Sequence, residues 1–199
     1  RMHRSLSILG IVAILIVLSP FSSRADVVDV PTRDTKIRVL IEGPSAPSHV
    51  IAIFSGGSGF VKIKDDGMIG KGRGNFAVRT RTLFHDAGMA TAVLSSPRDY
   101  KDLKGNRTRD DYARDVEAVM AMLRARFPDV PLWMHGTSRG AISIALTVPK
   151  FQAPANRPNG IILSSPVTER SNFDSVFEGD LKSLTGPVLV AYHRNDSCY

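Results

Sequence analysis

Residues Pro131-Leu132-Trp133-Met134-His135-Gly136-Thr137-Ser138-Arg139-Gly140-Ala141-Ile142 decide how this chain is read. An apolar run, Pro131 to His135, enters a Gly-x-Ser-x-Gly pentapeptide, and a helical pattern from Arg139 to Val148, stopped by Pro149, leaves it. The pentapeptide alone is weak; a strand before it and a helix after it make it informative. A serine presented at so sharp a turn takes a strained backbone, and side chains two positions to either side would collide. Gly136 and Gly140 remove both collisions. The helix that follows aims its positive end at the serine, where an oxyanion would form.

Outward from this turn, short apolar runs alternate with segments of helical period. After an N-terminal β region (Asp26 to Val30, Lys36 to Ile41), the strand candidates are Val50 to Phe54, Met89 to Leu94, Pro131 to His135, Gly160 to Leu163 and Pro187 to Tyr192. They are apolar throughout rather than alternating, as parallel strands covered on both faces are. In the clearest helix, Arg109 to Arg126, Tyr112, Val116, Val119, Met120, Leu123 and Phe127 recur at steps of three and four. Thr108 and Asp111 have capping-box spacing at its start, and Pro128 stops it. A second helix, Asn75 to Ala87, puts Phe76, Thr80, Leu83, Phe84 and Ala87 on one side, with Gly88 as its stop. The order βαβα predicts a doubly wound α/β fold: a mostly parallel sheet with helices on both faces. Gly67 to Gly74, with Lys62, Lys64, Lys71 and Arg73 around it, reads as an exposed loop.

From about Val50 to its last residue the chain resembles the alpha/beta-hydrolase superfamily, in the order of its motifs as well as their composition. The resemblance implies that Ser138 is a nucleophile and that Ile53-Phe54-Ser55-Gly56-Gly57-Ser58-Gly59 is the loop supplying an oxyanion donor. The amide of Gly57 or Ser58 would then act with that of Arg139. Ser55 stands where many members have His, which leaves open which amide donates. A phosphate-loop reading of these glycines fails, because Gly70-Lys71 has Asp65 where the first glycine of that motif belongs.

By the same resemblance Asp196, in the polar turn after Pro187 to Tyr192, matches the acid that orients the base, with Glu169 as its substitute. The base follows the acid in family order. None of the five histidines fits: His3, His49 and His85 lie elsewhere, His135 is in the nucleophile's own strand, and His193 is the nearest stand-in. The base is therefore expected beyond residue 199, with a further strand and helix. An apolar last strand, Val188 to Tyr192, points the same way, because natural sheet edges are short, charged or bulged. Cys198 is the lone cysteine, and its partner is expected in that same absent part.

Composition bounds the rest. With 199 residues, 43% hydrophobic and 23% charged, the chain closes one ordinary core and is not a disordered tail, a collagen-like repeat or a disulfide miniprotein. Residues 1–25 read as a secretory signal: Arg1, His3 and Arg4, an apolar run Leu6 to Leu18 too short to span a bilayer, then small residues Ser23 and Ala25. Removing Arg1, Arg4 and Arg24 with no acid takes the formal +7 to about +4, too mild to suggest a nucleic-acid partner. The expected domains are thus a signal over 1–25 and an incomplete alpha/beta-hydrolase domain over 26–199, periplasmic or secreted, with no stable membrane anchor after cleavage. The expected activity is that of a serine hydrolase cleaving an ester, thioester or amide of a small molecule through an acyl-enzyme on Ser138, with no metal and no cofactor. Two alternatives stand beside it: a non-catalytic binding or scaffold module of the same fold, and an inactive, aggregation-prone fragment lacking its histidine. The connection between Leu163 and Pro187 is too short for a large lid. The basic stretch Lys62 to Arg73 reads either as a solvated loop or as one that favours an acidic substrate.

Overall fold

The computed structural model describes residues 25–169 and 174–195. Residues 1–24, Asp196 and Cys198, and with them most of the expected signal and the expected acid, lie outside the described residues. The seven strand candidates form one sheet: β1 (Asp26–Pro31), β2 (Lys36–Glu42), β3 (Val50–Phe54), β4 (Ala90–Pro97), β5 (Leu132–Thr137), β6 (Gly160–Ser164) and β7 (Val188–Ala191). Their spatial order is β1-β2-β4-β3-β5-β6-β7. The β1–β2 and β2–β4 pairs are antiparallel, and every pair from β4 to β7 is parallel. This is the mostly parallel α/β sheet that the apolar runs imply.

Successive residues of one strand enter opposite cores, because side chains alternate across a sheet. Val50, Ala52 and Phe54 join the core beneath helices α3 (Asp110–Arg126) and α4 (Arg139–Thr147), whereas Ile51 and Ile53 join the one against Ala77, Val78, Val61 and Ile63. The central strands are therefore apolar on both faces. Tyr112, Val116, Val119, Met120 and Leu123 of α3 are buried as their spacing implies. The first turn of α3 differs from the expected capping box. Its N-cap is Arg109, without a side-chain cap, and Asp111 pairs instead with Arg109 and Arg114.

The segment after Asn75 departs further from the sequence reading. It is two short helices, α1 (Phe76–Arg79) and α2 (Arg81–Asp86), joined at Thr80. The Thr80 hydroxyl donates to the Phe76 carbonyl at 2.7 Å beside the Thr80 N–H at 3.1 Å, and such back-bonding bends helices. Consequently the buried face is Ala77 and Val78, while Phe76 and Leu83 of the expected apolar side are exposed. The basic stretch is also more ordered than a solvated loop. Lys62 N–H donates to Lys71 O at 2.9 Å, Gly70 N–H to Lys62 O at 2.8 Å, and Ile63 bridges Ile69 in antiparallel fashion. At the other end of the sheet β7 is paired on one side only within the described residues, and Val188, Leu189 and Val190 are exposed. Among the described residues no helix is long and apolar enough to cross a membrane.

Candidate active site

Ser138 sits between the last residue of β5 and the first of α4, with φ 53° and ψ −121°. An L-residue avoids this region, and holding it there costs on the order of 1–3 kcal/mol. The turn is held from both sides: Ser138 N–H donates to Ser164 O of β6 at 2.9 Å, and Ala141 N–H to Ser138 O at 3.0 Å. Both flanking glycines are required by contact. A Cβ on Gly136 would lie 2.5 Å from Gly140 O, and one on Gly140 would lie 2.1 Å from Phe54 O at the end of β3. The pentapeptide thus folds back on itself and locks onto β3, its immediate neighbour in the sheet.

That neighbour carries the second part of the site. The loop leaving β3 passes so close to the serine that a Cβ on Gly56 would lie 3.2 Å from Ser138 Cβ and 2.9 Å from Thr137 O. Gly57 has φ 63° and faces open space. The amides of Gly57 and Ser58 donate to no protein acceptor among the described residues. Gly136, Ser138, Arg139, Gly140, Gly57 and Ser58 are therefore brought to one edge of the sheet by parallel strands that end together. The end of β7 reaches that edge too, since Ser165 N–H, directly after β6, donates to Ala191 O at 2.7 Å. Asp196, five residues on, lies outside the described residues. Glu169 is exposed and has no ion pair or hydrogen bond among them.

Sequence reasoning missed Arg107. It is 2% exposed and pairs with no carboxylate among the described residues, yet all three guanidinium nitrogens are used. Nε donates to Ser143 Oγ of α4 at 3.0 Å, Nη1 to Leu103 O at 3.1 Å, and Nη2 to Gly57 O at 3.0 Å. One buried cation thus ties the helix carrying the serine to the loop lying over it. Burial lowers its pKa from the usual arginine value, and the neighbouring Arg139 adds to that, against the opposing effects of Tyr112, Asp174 and Asp102. Leu103 N–H holds the same loop through Ser58 O at 2.8 Å. A lone arginine in a polar loop carries no local signal of this role.

No imidazole hydrogen-bonds to Ser138 among the described residues. His49 is half-buried beside Ser48, His85 contacts Thr91 Oγ1 at 2.8 Å, and His193 lies in an exposed turn where its Nδ1 accepts from Asn195 N–H. His135 is a core residue: its Nε2 lies 2.5 Å from Ser164 Oγ, and Phe84 stands edge-on to its ring. Burial pushes its pKa down to about 4. A base whose folded pKa lies below its unfolded value is neutral in the fold and takes a proton on unfolding, so stability falls as pH drops from about 6.5 toward 4. The expected loss across that window is about 3 kcal/mol, read from urea midpoints at pH 7 and pH 4. A His135→Asn variant that kept the same loss would show that another group is responsible. Among the described residues no group of three His, Cys, Asp or Glu side chains is placed to hold a metal ion.

No protein-family model matches the sequence, and no curated protein does. Solved structures do match in fold. A serine hydrolase without a lid from Xanthomonas campestris is 20% identical with a TM-score of 0.53, covering 88% of this chain and 72% of that one. A cold-adapted esterase from an Arctic intertidal metagenomic library is 12% identical with a TM-score of 0.57, covering 87% and 72%. A serine hydrolase homologue from Coxiella burnetii is 13% identical with a TM-score of 0.52, covering 85% and 86%. Strand order, crossover pattern and these neighbours agree: the chain has the alpha/beta-hydrolase fold.

Proposed function

We propose that this protein is an exported serine hydrolase that cleaves an ester, thioester or amide through an acyl-enzyme on Ser138. One observation carries the reading: a serine held at φ 53° at the start of α4, beneath a glycine loop with unused amides. Backbone strain of this kind clusters at active sites, and here it coincides with the close approach of the glycine loop. Similarity in fold to esterases and serine hydrolases supports it.

In this mechanism Ser138 Oγ attacks the substrate carbonyl while an imidazole from outside the described residues takes its proton, and Asp196 orients that imidazole. The amides of Gly57 or Ser58 and of Arg139, at the positive end of α4, hold the oxyanion. Protonation of the leaving group by the imidazolium gives the acyl-enzyme, and water attacks it by the reverse sequence. A fluorophosphonate probe should label the full-length protein at Ser138 and fail to label Ser138→Ala. Absence of labelling in the unmutated full-length protein would favour a binding module instead.

Arg107 acts in this scheme as a positioning residue, because it fixes the carbonyl of the very peptide plane that follows the candidate donor. Arg107→Met is expected to lower kcat roughly ten- to a hundred-fold with a smaller change in KM, since a displaced oxyanion donor costs up to about 3–4 kcal/mol. Arg107→Met also leaves the Leu103 and Gly57 carbonyls without their buried donor, at a cost of about 1–3 kcal/mol, so a kcat lost at temperatures well below the lowered melting temperature separates positioning from unfolding. A kcat that falls only as the protein unfolds would mean the arginine is structural.

A further inference from the structure

Next to the glycine loop lies a cleft of about 500 Å³, bounded by Ser58 and Phe60 to Ile63 on one side and by Ser95 to Arg98 and Tyr100 to Asp102 on the other. Its floor is apolar, Val61 and Ile63 being buried, but its rim is cationic: Arg38, Lys62, Lys71, Arg98 and Lys101 against one acid, Asp102. The two arginines have acids of their own. Arg38 pairs with Asp29 at 2.9 Å and Asp65 at 2.8 Å, and Arg98 lies 3.7 Å from Asp29. Lys62, Lys71 and Lys101 have no carboxylate partner among the described residues.

Two of these lysines are carried by the hairpin. Lys62 and Lys71 both line the cleft from its two arms, whose backbones are joined by the 2.9 Å hydrogen bond from Lys62 N–H to Lys71 O. The Lys62 stem lies over Gly70, and Lys71 Nζ stands 5.9 Å from the Phe60 ring centroid, a contact that leaves its charge in place. The hairpin is held against the sheet, because Val61 N–H donates to Ser95 Oγ at 3.3 Å and Arg38 Nη1 to Ile63 O at 3.2 Å. The fold thus keeps two lysines without carboxylate partners among the described residues on a cleft that Ser58 also lines.

We propose that this cleft holds an anionic group of the substrate, so that the preferred substrate is an acyl ester, thioester or amide carrying a carboxylate or phosphate beside the scissile bond. The assignment rests on the hydrolase reading for its chemistry and on the cleft alone for its charge. An anion held by Lys62 and Lys71 neutralises charge that has no carboxylate partner among the described residues and keeps the neighbouring carbonyl on the side of the cleft that Ser58 lines.

The experiment compares mono-4-nitrophenyl succinate with 4-nitrophenyl butyrate on the full-length protein, its Lys62→Ala/Lys71→Ala variant and Lys64→Ala, whose lysine lies outside the cleft. The ratio of kcat/KM for the anionic over the neutral ester should fall roughly tenfold in the double variant and stay unchanged in Lys64→Ala. It should also fall in the unmutated protein when salt is raised, as exposed charge interactions do. A ratio that does not move in the double variant overturns the proposal. A second measurement needs no catalysis: titration of methyl succinate, followed by NMR shifts of the Gly57 to Lys71 amides. Should neither ester be hydrolysed, shifts that are present in the unmutated protein and lost in the double variant uphold the cleft while the hydrolase reading falls. Shifts that persist in the double variant, or that never appear, overturn it.

Discussion

Replacing Ser138 with glycine is expected to abolish turnover and stabilise the protein in one step. The loss follows from the proposed chemistry, in which Ser138 is the nucleophile: without it only the oxyanion donors and substrate binding would remain, and removing the serine of a triad costs of order 10⁶ in kcat. The gain follows from the backbone. At φ 53° and ψ −121° a side chain is strained by on the order of 1–3 kcal/mol, and glycine is not. Part of that relief is offset by the greater freedom glycine has in the unfolded chain, roughly 0.5–1 kcal/mol, so a net gain of about 1 kcal/mol is expected. Ser138→Ala is the comparison that isolates the effect, because it removes the hydroxyl but keeps the Cβ. It should lose the same activity with almost no change in denaturation midpoint. Equal stability for the glycine and alanine variants would mean that the turn stores no strain, and would remove the reason for reading Ser138 as a nucleophile.

The second large effect lies two residues further on. Gly140→Ala is expected to destabilise the protein by about 3–5 kcal/mol, or to prevent folding, because its Cβ would come within 2.1 Å of Phe54 O. Neither partner can yield. Phe54 is held between β4 and β5, and Gly140 is fixed by the start of α4. Gly136→Ala should behave similarly, since its Cβ would meet the backbone of Gly140 and Ala141 at 2.5 to 2.7 Å. Gly74→Ala is the control: it meets nothing within 4 Å, and a change within about 0.5 kcal/mol is expected there. Denaturant midpoints of the three variants test this, and a Gly140→Ala protein as stable as Gly74→Ala would contradict the close approach of the turn to β3.

Where the sequence read well, the signal was local. The runs around Ile51, Val93, Met134 and Ile161 are almost wholly apolar because those strands are covered on both faces, and each became a strand within three residues of its expected ends. The register of Tyr112 to Leu123 survives in α3 for the same reason: a long helix fixes its buried face by period alone. Asn75 to Ala87 misled because a period of 3.6 assumes an unbroken helix. Once Thr80 turns its hydroxyl back onto Phe76 O, the residues beyond it rotate out of phase, and Leu83 faces solvent. Thr108 and Asp111 misled in a smaller way, through a spacing that the actual helix start at Asp110 does not use.

By itself, then, the sequence determined the parallel α/β sheet, the tight turn at Ser138 and the two glycines that permit it, because steric conflict between near neighbours is written in residue types a few positions apart. Only the tertiary structure decided that Arg107 bridges Gly57 and Ser143, 50 and 36 residues away, and that Lys62, Lys71 and Lys101 line one cleft beside Ser58. Contacts of that kind depend on which strands become neighbours and how loops pack over their ends. No period or spacing along the chain encodes that, because a buried cation and a solvated one are the same letter until the fold removes the water around one of them.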